Sequence, residues 1–120
     1  QVISEMLNRR EALGLAADQV KKIEQLRDNF ERLSIRNNAE LRIVELDIAG
    51  LLDTPTVDLA KVEAKVREAE KLRADLRIAR IKVIEQAKAT LTPEQRKKFY
   101  DTVESRPPRA ARGQNPSAKE

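Results

Sequence analysis

Histidine and cysteine are both absent from this 120-residue chain. Without cysteine there is no disulfide or thiol chemistry, and without histidine the chain lacks the commonest metal ligand and the usual acid or base near neutral pH. The serines lie beside no candidate base, and no glycine-rich loop is present to bind a phosphate. These absences predict a protein that is not an enzyme and that has no cofactor.

Aromatic residues are scarce at 2%, glycine occurs three times, and charged residues make up 37% of the chain. This composition is typical of long charged helices and argues against a β-sheet protein or an aromatic-lined binding site. The length fits one domain. We therefore predict a single all-α domain.

No apolar run approaches the roughly 18–20 residues that cross a membrane, so we predict no membrane span in this chain. The chain begins at Gln1 without a methionine, which we interpret as a mature or trimmed form. Whether a cleaved signal or a membrane anchor precedes Gln1 stays open.

The positive charge is concentrated at the carboxyl end. Residues 106–120 contain four basic residues and one acidic residue, which leaves only +1 of the total +4 on the remainder. They are also rich in proline, glycine and polar residues, so we predict a helical domain over 1–105 and a disordered basic tail over 106–120. A nearly neutral domain without stacking aromatics argues against nucleic-acid binding, which would depend on the tail.

Two long helices are predicted, over 17–52 and 57–89, and the short turn between them predicts an antiparallel hairpin. Residues 53–56 carry the turn chemistry of Asp, Thr and Pro. Apolar residues recur at steps of three and four along one face of each helix. The face of the first helix comprises Ile23, Leu26, Phe30, Leu33, Asn37, Leu41, Val44, Ile48 and Leu51. The face of the second comprises Leu59, Val62, Val66, Ala69, Leu72, Leu76, Ala79, Val83 and Ala87.

Two short helices are predicted to flank the hairpin. One covers 3–12 and is closed by Gly14, and the other covers 93–104. Asn37 is the polar interruption of the main stripe, and it either fixes the register of a helical seam or lies at a wet edge.

A second apolar stripe, of Ile35, Ala39, Ile43 and Leu46, lies on the face opposite the first, and Ile78 is also off the main stripe of its helix. Apolar side chains without a partner inside the hairpin need one outside it. Three interpretations are open: a homodimer seam, a surface that receives other proteins, or coverage by the two short helices.

The last helix begins with a well-formed start signal, Leu91-Thr92-Pro93-Glu94-Gln95. Thr92 is placed to cap the helix through its hydroxyl, and Pro93 suits the first helical position. Gln95 is placed to reach back to the Thr92 N–H and complete a capping box. Such a cap contributes about 1 kcal/mol.

A weaker copy of this signal, Leu15-Ala16-Ala17-Asp18-Gln19, lies upstream where the first long helix begins. It keeps Leu15 and Gln19 but has Ala16 at the cap position, so we expect a weaker helix start.

The two copies, with the hairpin between them, resemble the paired LTxxQ motifs of the Spy/CpxP family of periplasmic proteins. The resemblance covers about residues 3–104. It implies a cradle-like homodimer of interlocked hairpins located in the periplasm. Spy-like members are ATP-independent chaperones that hold unfolded clients on a face combining basic and apolar groups. Other members, similar to the zinc-resistance protein ZraP or the metal sensor CnrX, bind heavy metal ions and take part in resistance signalling.

The ligand chemistry helps to choose between these two activities. Soft or borderline metals prefer imidazole, thiolate or thioether ligands. The chain offers only one such side chain, Met6, so the metal ligands of the family have no counterparts and we predict no metal site. The chaperone activity is therefore our main expectation. The alternatives are a metal-resistance sensor and an adapter that occupies the periplasmic domain of a sensor kinase.

A client-holding face for unfolded or misfolded proteins is predicted from arginines and isoleucines of the hairpin. Arginine stems cover apolar surface while their guanidinium groups remain solvated. The alternative is that these arginines only form ion pairs with the other helix. The predicted client-binding residues are Ile35, Ile43, Leu46, Arg73, Arg77, Ile78, Arg80 and Ile81.

Overall fold

A computed structural model describes the backbone of residues 1–104 and the side chains of residues 1–101. The predicted tail, residues 106–120, lies outside the described residues. The described part contains helices and no strand, so the all-α prediction is confirmed. None of its helices combines the length and apolar content that a membrane crossing requires. The helices are α1 (Val2–Asn8), α2 (Arg10–Leu13), α3 (Ala17–Leu52), α4 (Leu59–Thr90) and α5 (Pro93–Glu104).

The predicted bounds of the two short helices and the hairpin agree closely with these elements. The predicted first helix is interrupted at Arg9, whose φ of −105° and ψ of 18° separate α1 from α2. Gly14 ends α2 with a φ of 68°, the left-handed conformation that glycine adopts without steric cost. α4 begins two residues later than predicted because Asp58 is its N-cap and accepts a bond from the Lys61 N–H at 3.2 Å.

α3 and α4 form the predicted antiparallel hairpin. On the sides where the two helices face each other, buried and half-buried residues recur at steps of three and four, as in a two-stranded coiled coil. We call these residues the seam. On α3 the seam comprises Val20, Ile23, Arg27, Phe30, Ser34, Asn37, Leu41, Val44, Ile48 and Leu51. On α4 it comprises Val62, Lys65, Ala69, Leu72, Leu76, Ala79, Val83 and Ala87.

Four further apolar residues of the predicted stripes lie outside the seam. Leu26 is half-buried and packs against the core, as a stripe residue should. For the other three the prediction is wrong. Leu33 is 39% exposed, Val66 43% and Leu59 74%. The alternation of steps assigns the positions of Leu33 and Val66 to their neighbours Ser34 and Lys65, which are half-buried. Leu59 lies at the first position of α4, beyond the end of the seam.

The main core lies at the end of the hairpin where α3 begins and α4 ends. α1 packs there against both long helices, and α2 packs against α5. The terminal helices therefore do not cover the second apolar stripe, so that alternative is excluded within the described residues. The core comprises Ile3, Met6, Leu7, Leu13, Ile23, Val83, Ala87, Leu91 and Phe99.

Candidate functional site

The start of α5 is held by a complete capping box. The Gln95 N–H donates to Thr92 Oγ1 at 3.1 Å, and the Thr92 N–H donates to Gln95 Oε1 at 2.9 Å. Pro93 is the first helical residue, where its missing N–H costs no hydrogen bond. Two backbone donors at the helix start are thus satisfied by side chains.

The start of α3 has a similar arrangement, in which a different side chain accepts the second hydrogen bond. Ala16 has no side-chain oxygen, so only the glutamine half remains: the Ala16 N–H donates to Gln19 Oε1 at 2.8 Å. The Gln19 N–H corresponds to the Gln95 N–H, which donates to the Thr92 hydroxyl at the start of α5. At the start of α3 it donates instead to Asp18 Oδ1, at 3.0 Å. Asp18 therefore takes over the role of the missing hydroxyl, a role that the sequence alone did not reveal.

The two motif glutamines meet although 76 residues separate them. Gln19 Nε2 donates to Gln95 Oε1 at 2.8 Å and to the Thr90 carbonyl at 3.0 Å. Gln95 Nε2 donates to Gln19 Oε1 at 3.3 Å and to the Gly14 carbonyl at 3.0 Å. Each glutamine thus bonds the backbone immediately before the other motif, which gives the junction a local two-fold symmetry. We call Gln19 and Gln95 with these bonds the glutamine pair.

Apolar and basic side chains surround the glutamine pair. Leu91 is buried in the core, and half-buried Leu15 packs against the same cluster. The Arg96 guanidinium donates to the Leu91 carbonyl at 3.2 Å and reaches the Lys88 carbonyl at 3.5 Å. Arg96 thereby gives the Leu91 carbonyl, just after the end of α4, a hydrogen-bond partner, whereas the Lys88 carbonyl also accepts from the Leu91 N–H at 3.0 Å. The sequence analysis did not identify this role of Arg96, and the only signal for it in the sequence is that Arg96 directly follows the motif.

The five predicted client-binding apolar residues are all at least half exposed in the isolated chain: Ile35, Ile43, Leu46, Ile78 and Ile81. Such a set of solvent-exposed aliphatic side chains is uncommon on a surface that has no partner.

The seam shows that the predicted client-binding residues do not form one continuous strip. A helical residue is rotated by about 100° from its neighbour. Ile35 follows seam residue Ser34, and the three arginines likewise each follow a seam residue, so all four lie on one broad face of the hairpin. We call Ile35, Arg73, Arg77 and Arg80 the arginine face.

Ile43 and Ile78 each precede a seam residue and lie on the opposite broad face, whereas Leu46 and Ile81 lie on the outer edges of their helices. A single hairpin therefore brings together one isoleucine and three arginines of the predicted set. By the same rotation, the other four residues point to the opposite side or to the outer edges of the hairpin.

The three arginines differ in what they contact. Arg73 donates to Glu45 on α3 at 2.8 Å and also bonds Glu70, and the bond with Glu45 is the main cause that raises the pKa of Arg73. The Arg80 guanidinium lies over the Phe30 ring, 5.8 Å from its centroid. Arg77 is exposed and forms no ion pair with a described residue. Ion pairing with the facing helix thus accounts for Arg73 but not for Arg77.

Metal-ligand chemistry is sparse in the part of the chain that the structure describes. Residues 1–101 contain no group of three or more His, Cys, Asp or Glu side chains that is able to hold a metal ion. The thioether of Met6 is fully buried in the core. A soft metal ion therefore has no accessible sulfur or imidazole ligand in this region.

Residues 5–98 match the sequence model of a family described as heavy-metal resistance. No curated protein and no solved structure matched the chain. The donors described above do not fit the heavy metal that the family description implies. The match nevertheless extends over both motifs and the entire hairpin, and the chain belongs to the heavy-metal resistance family, whose fold is of the Spy/CpxP/ZraP type.

Proposed function

We propose that this chain is a periplasmic, ATP-independent chaperone that holds unfolded client proteins on the arginine face. The observation that carries the proposal is exposed Ile35 on the same face as Arg77, a cation without an ion-pair partner among the described residues. An unfolded client offers both apolar and acidic segments. Ile35 and the arginine stems contact the apolar segments, and the guanidinium groups bind the carboxylates.

Weak contacts suit a protein that releases its clients without ATP. Exposed ion pairs contribute about 0–1 kcal/mol each, so each contact is readily broken. Arg73 and Arg80 are positioned by Glu45 and Phe30, which keeps their guanidinium groups on the face before a client arrives. The periplasmic location is part of the proposal and is supported by the family match together with the paired motifs.

The test is suppression of light scattering by an aggregating client protein. Arg77→Glu combined with Ile35→Ser should raise the ratio of this protein to client needed for half-suppression by roughly two- to five-fold, which corresponds to about 0.5–1 kcal/mol of lost binding. Lys97→Glu is the control, because Lys97 is exposed on α5 and is not part of the hairpin. Equal suppression by all three proteins would show that the arginine face does not hold clients.

A second candidate function is metal-responsive resistance or signalling, and the family match favours it. Native mass spectrometry with zinc, copper or nickel separates the two candidates, because it counts bound ions directly. Stoichiometric uptake of one of these metals would favour the second candidate over the chaperone. The chaperone proposal expects only weak, non-stoichiometric adducts, since soft ligands are nearly absent.

A further inference from the structure

The seam is less well packed in the middle of the hairpin than on either side. On the core side Val83 is buried and Phe30 packs against the core, and on the turn side Val44 and Ala69 are buried. Every seam residue between these two points is only half-buried. We call this stretch the central seam. Its members are Ser34, Asn37 and Leu41 on α3 and Leu72, Leu76 and Ala79 on α4.

The α3 side of the central seam contributes two polar residues in succession. Seam residues of an antiparallel hairpin face each other in reverse order, so Ser34 faces Ala79 and Asn37 faces Leu76. The first of these pairs brings together two small side chains. In the second pair, Asn37 Oδ1 is buried and has no hydrogen-bond partner among the described residues. A buried acceptor without a partner opposes closure of the seam, because water solvates it when the helices move apart.

The polar and cation–π contacts between α3 and α4 lie on either side of this stretch. On the turn side Arg73 donates to Glu45, and on the core side the Arg80 guanidinium lies over the Phe30 ring. Between these two contacts, the described residues form no side-chain hydrogen bond or ion pair from one helix to the other. Only half-buried apolar contacts therefore hold the central seam closed. Segments with few buried apolar contacts open locally at the lowest free energy.

We infer that α3 and α4 separate locally at the central seam and that the cleft formed there binds apolar segments of unfolded clients. Leu41, Leu72 and Leu76 line this cleft once the helices part. The separation stays local, because the contacts of Arg73 and Arg80 remain on either side of it. The inference rests on the proposed chaperone function, to which it adds a second binding surface beneath the arginine face.

The arginine face borders the cleft, because each of its four residues directly follows a member of the central seam. Opening thus places leucine side chains next to guanidinium groups. Arg77, the middle arginine, forms no ion pair with a described residue and is free to bind a carboxylate. The cleft therefore fits a client segment whose apolar side chains are flanked by Asp or Glu. Release needs no ATP, since closure returns the leucines to one another.

Hydrogen exchange of the protein without a client tests the opening. A short helical stretch that loses its packing partner is marginally stable, so its amides exchange with solvent. Amides of residues 34–41 and 72–79 should be protected roughly tenfold less than those around Val44 and Val83. Asn37→Leu should slow exchange at 34–41, because the acceptor that favours opening is gone. Equal protection along the whole seam, or unchanged exchange in Asn37→Leu, would overturn the inference.

A disulfide across the central seam tests whether the cleft binds clients, because the chain contains no cysteine of its own. Ser34→Cys combined with Ala79→Cys, once oxidised, holds the two Cα atoms within about 7 Å and keeps the cleft closed. Half-suppression of the aggregation of a disulfide-free client should then require roughly three times as much protein as in the reduced form. Leu51→Cys with Val62→Cys is the matched control, since this facing pair lies near the turn, and its oxidation should change nothing.

The cleft and the arginine face fail in distinguishable ways. Unchanged suppression on oxidation of the Ser34 and Ala79 variant, with weaker suppression by Arg77→Glu and Ile35→Ser, would overturn the cleft and leave the arginine face standing. So would a disulfide that does not close, because the two positions would then not face each other.

A small probe tests the cleft even if the wild type suppresses no aggregation. The dye anilinonaphthalene sulfonate is an apolar anion that fluoresces on apolar protein surfaces. Its fluorescence with the Ser34 and Ala79 variant should fall by roughly half on oxidation, because the leucines become inaccessible. Oxidation of the Leu51 and Val62 control should leave the fluorescence unchanged. Dye binding that does not respond to either disulfide would overturn the inference.

Discussion

The side-chain amides of Gln19 and Gln95 donate to each other's oxygens, at 2.8 and 3.3 Å. Each amide also accepts from the N–H at its own helix start and donates to the carbonyl before the other motif. A local helix-start signal thereby becomes a tertiary contact that joins α3 to α5. The contact closes the end of the hairpin that the turn leaves open.

Replacing Gln95 with Met should destabilise the fold by about 2–3 kcal/mol, since several hydrogen bonds of about 1 kcal/mol each are lost. Gln19→Met should have a similar effect. The double variant should lose less than the sum, with a coupling energy of about 1 kcal/mol, because both single changes remove the same amide contact. Urea denaturation measures all four proteins. Strictly additive losses would mean that the two amides contribute independently.

The two helix starts should respond unequally to threonine. Thr92→Ala should cost about 1 kcal/mol, the usual effect of removing an N-cap hydroxyl. Ala16→Thr should stabilise by clearly less, because Asp18 already accepts a bond from the Gln19 N–H. Thermal melts of the two single variants make the comparison. In an Asp18→Ala background the gain from Ala16→Thr should become larger, and an unchanged gain would argue against the substitute role of Asp18.

Asn37→Leu should raise the free energy of unfolding by about 1 kcal/mol and the Tm by several degrees. The Asn37 Oδ1 is buried in the seam and has no hydrogen-bond partner among the described residues, so removing it relieves an unsatisfied acceptor. Asn38→Leu is the matched control, because Asn38 is exposed and already bonds Ser34. A lower Tm for Asn37→Leu would show instead that the fold uses this oxygen.

Stability should fall in alkaline solution. The bond with Glu68, and then that with Asp47, raises the pKa of Lys65 above its ordinary 10.5, and the bond with Asp75 does the same for Lys71. A raised pKa means that the charged form is favoured in the folded state. The contribution is therefore fully present below pH 10.5 and is lost as the pH rises through the raised pKa.

Thermal melts from about pH 9 to about pH 12 check this expectation. Lys65→Met should show a smaller alkaline decline than the wild type, because one of the titrating groups is gone. An identical decline in both proteins would exclude Lys65 as a contributor.

Helix positions could be predicted from the sequence because they depend on local signals. The turn chemistry before Val57, the left-handed Gly14 and the Thr92 cap each act within a few residues. The bounds of α3 and α5 accordingly follow from the sequence pattern. The bond between Gln19 and Gln95 did not follow, because nothing local to either glutamine specifies a partner 76 residues away.

The faces on which the predicted client-binding residues lie depend on the choice of one seam residue. Steps of three and four allow either Leu33 or Ser34 at one seam position, and the two choices differ by about 100° of rotation. Hydrophobicity favours Leu33, but continued alternation along the whole helix selects Ser34. That rotation decides on which broad face Ile35 and Ile43 lie. Local composition therefore identified exposed isoleucines without assigning them to a common surface.

The seam repeats every seven residues along α3 and along α4 from Val62 to Val83. The length of the hairpin can therefore change without changing the contacts that join its open end. Deleting seven residues from α3 and the facing seven from α4 would shorten the hairpin by about 10 Å and leave every remaining seam residue in phase. The glutamine pair would be unaffected, because all of its bonds lie where α3 begins and α4 ends, at the end of the hairpin away from the turn. Deleting one residue would instead rotate everything beyond it by about 100°. The hairpin can therefore be lengthened or shortened only in whole seven-residue repeats.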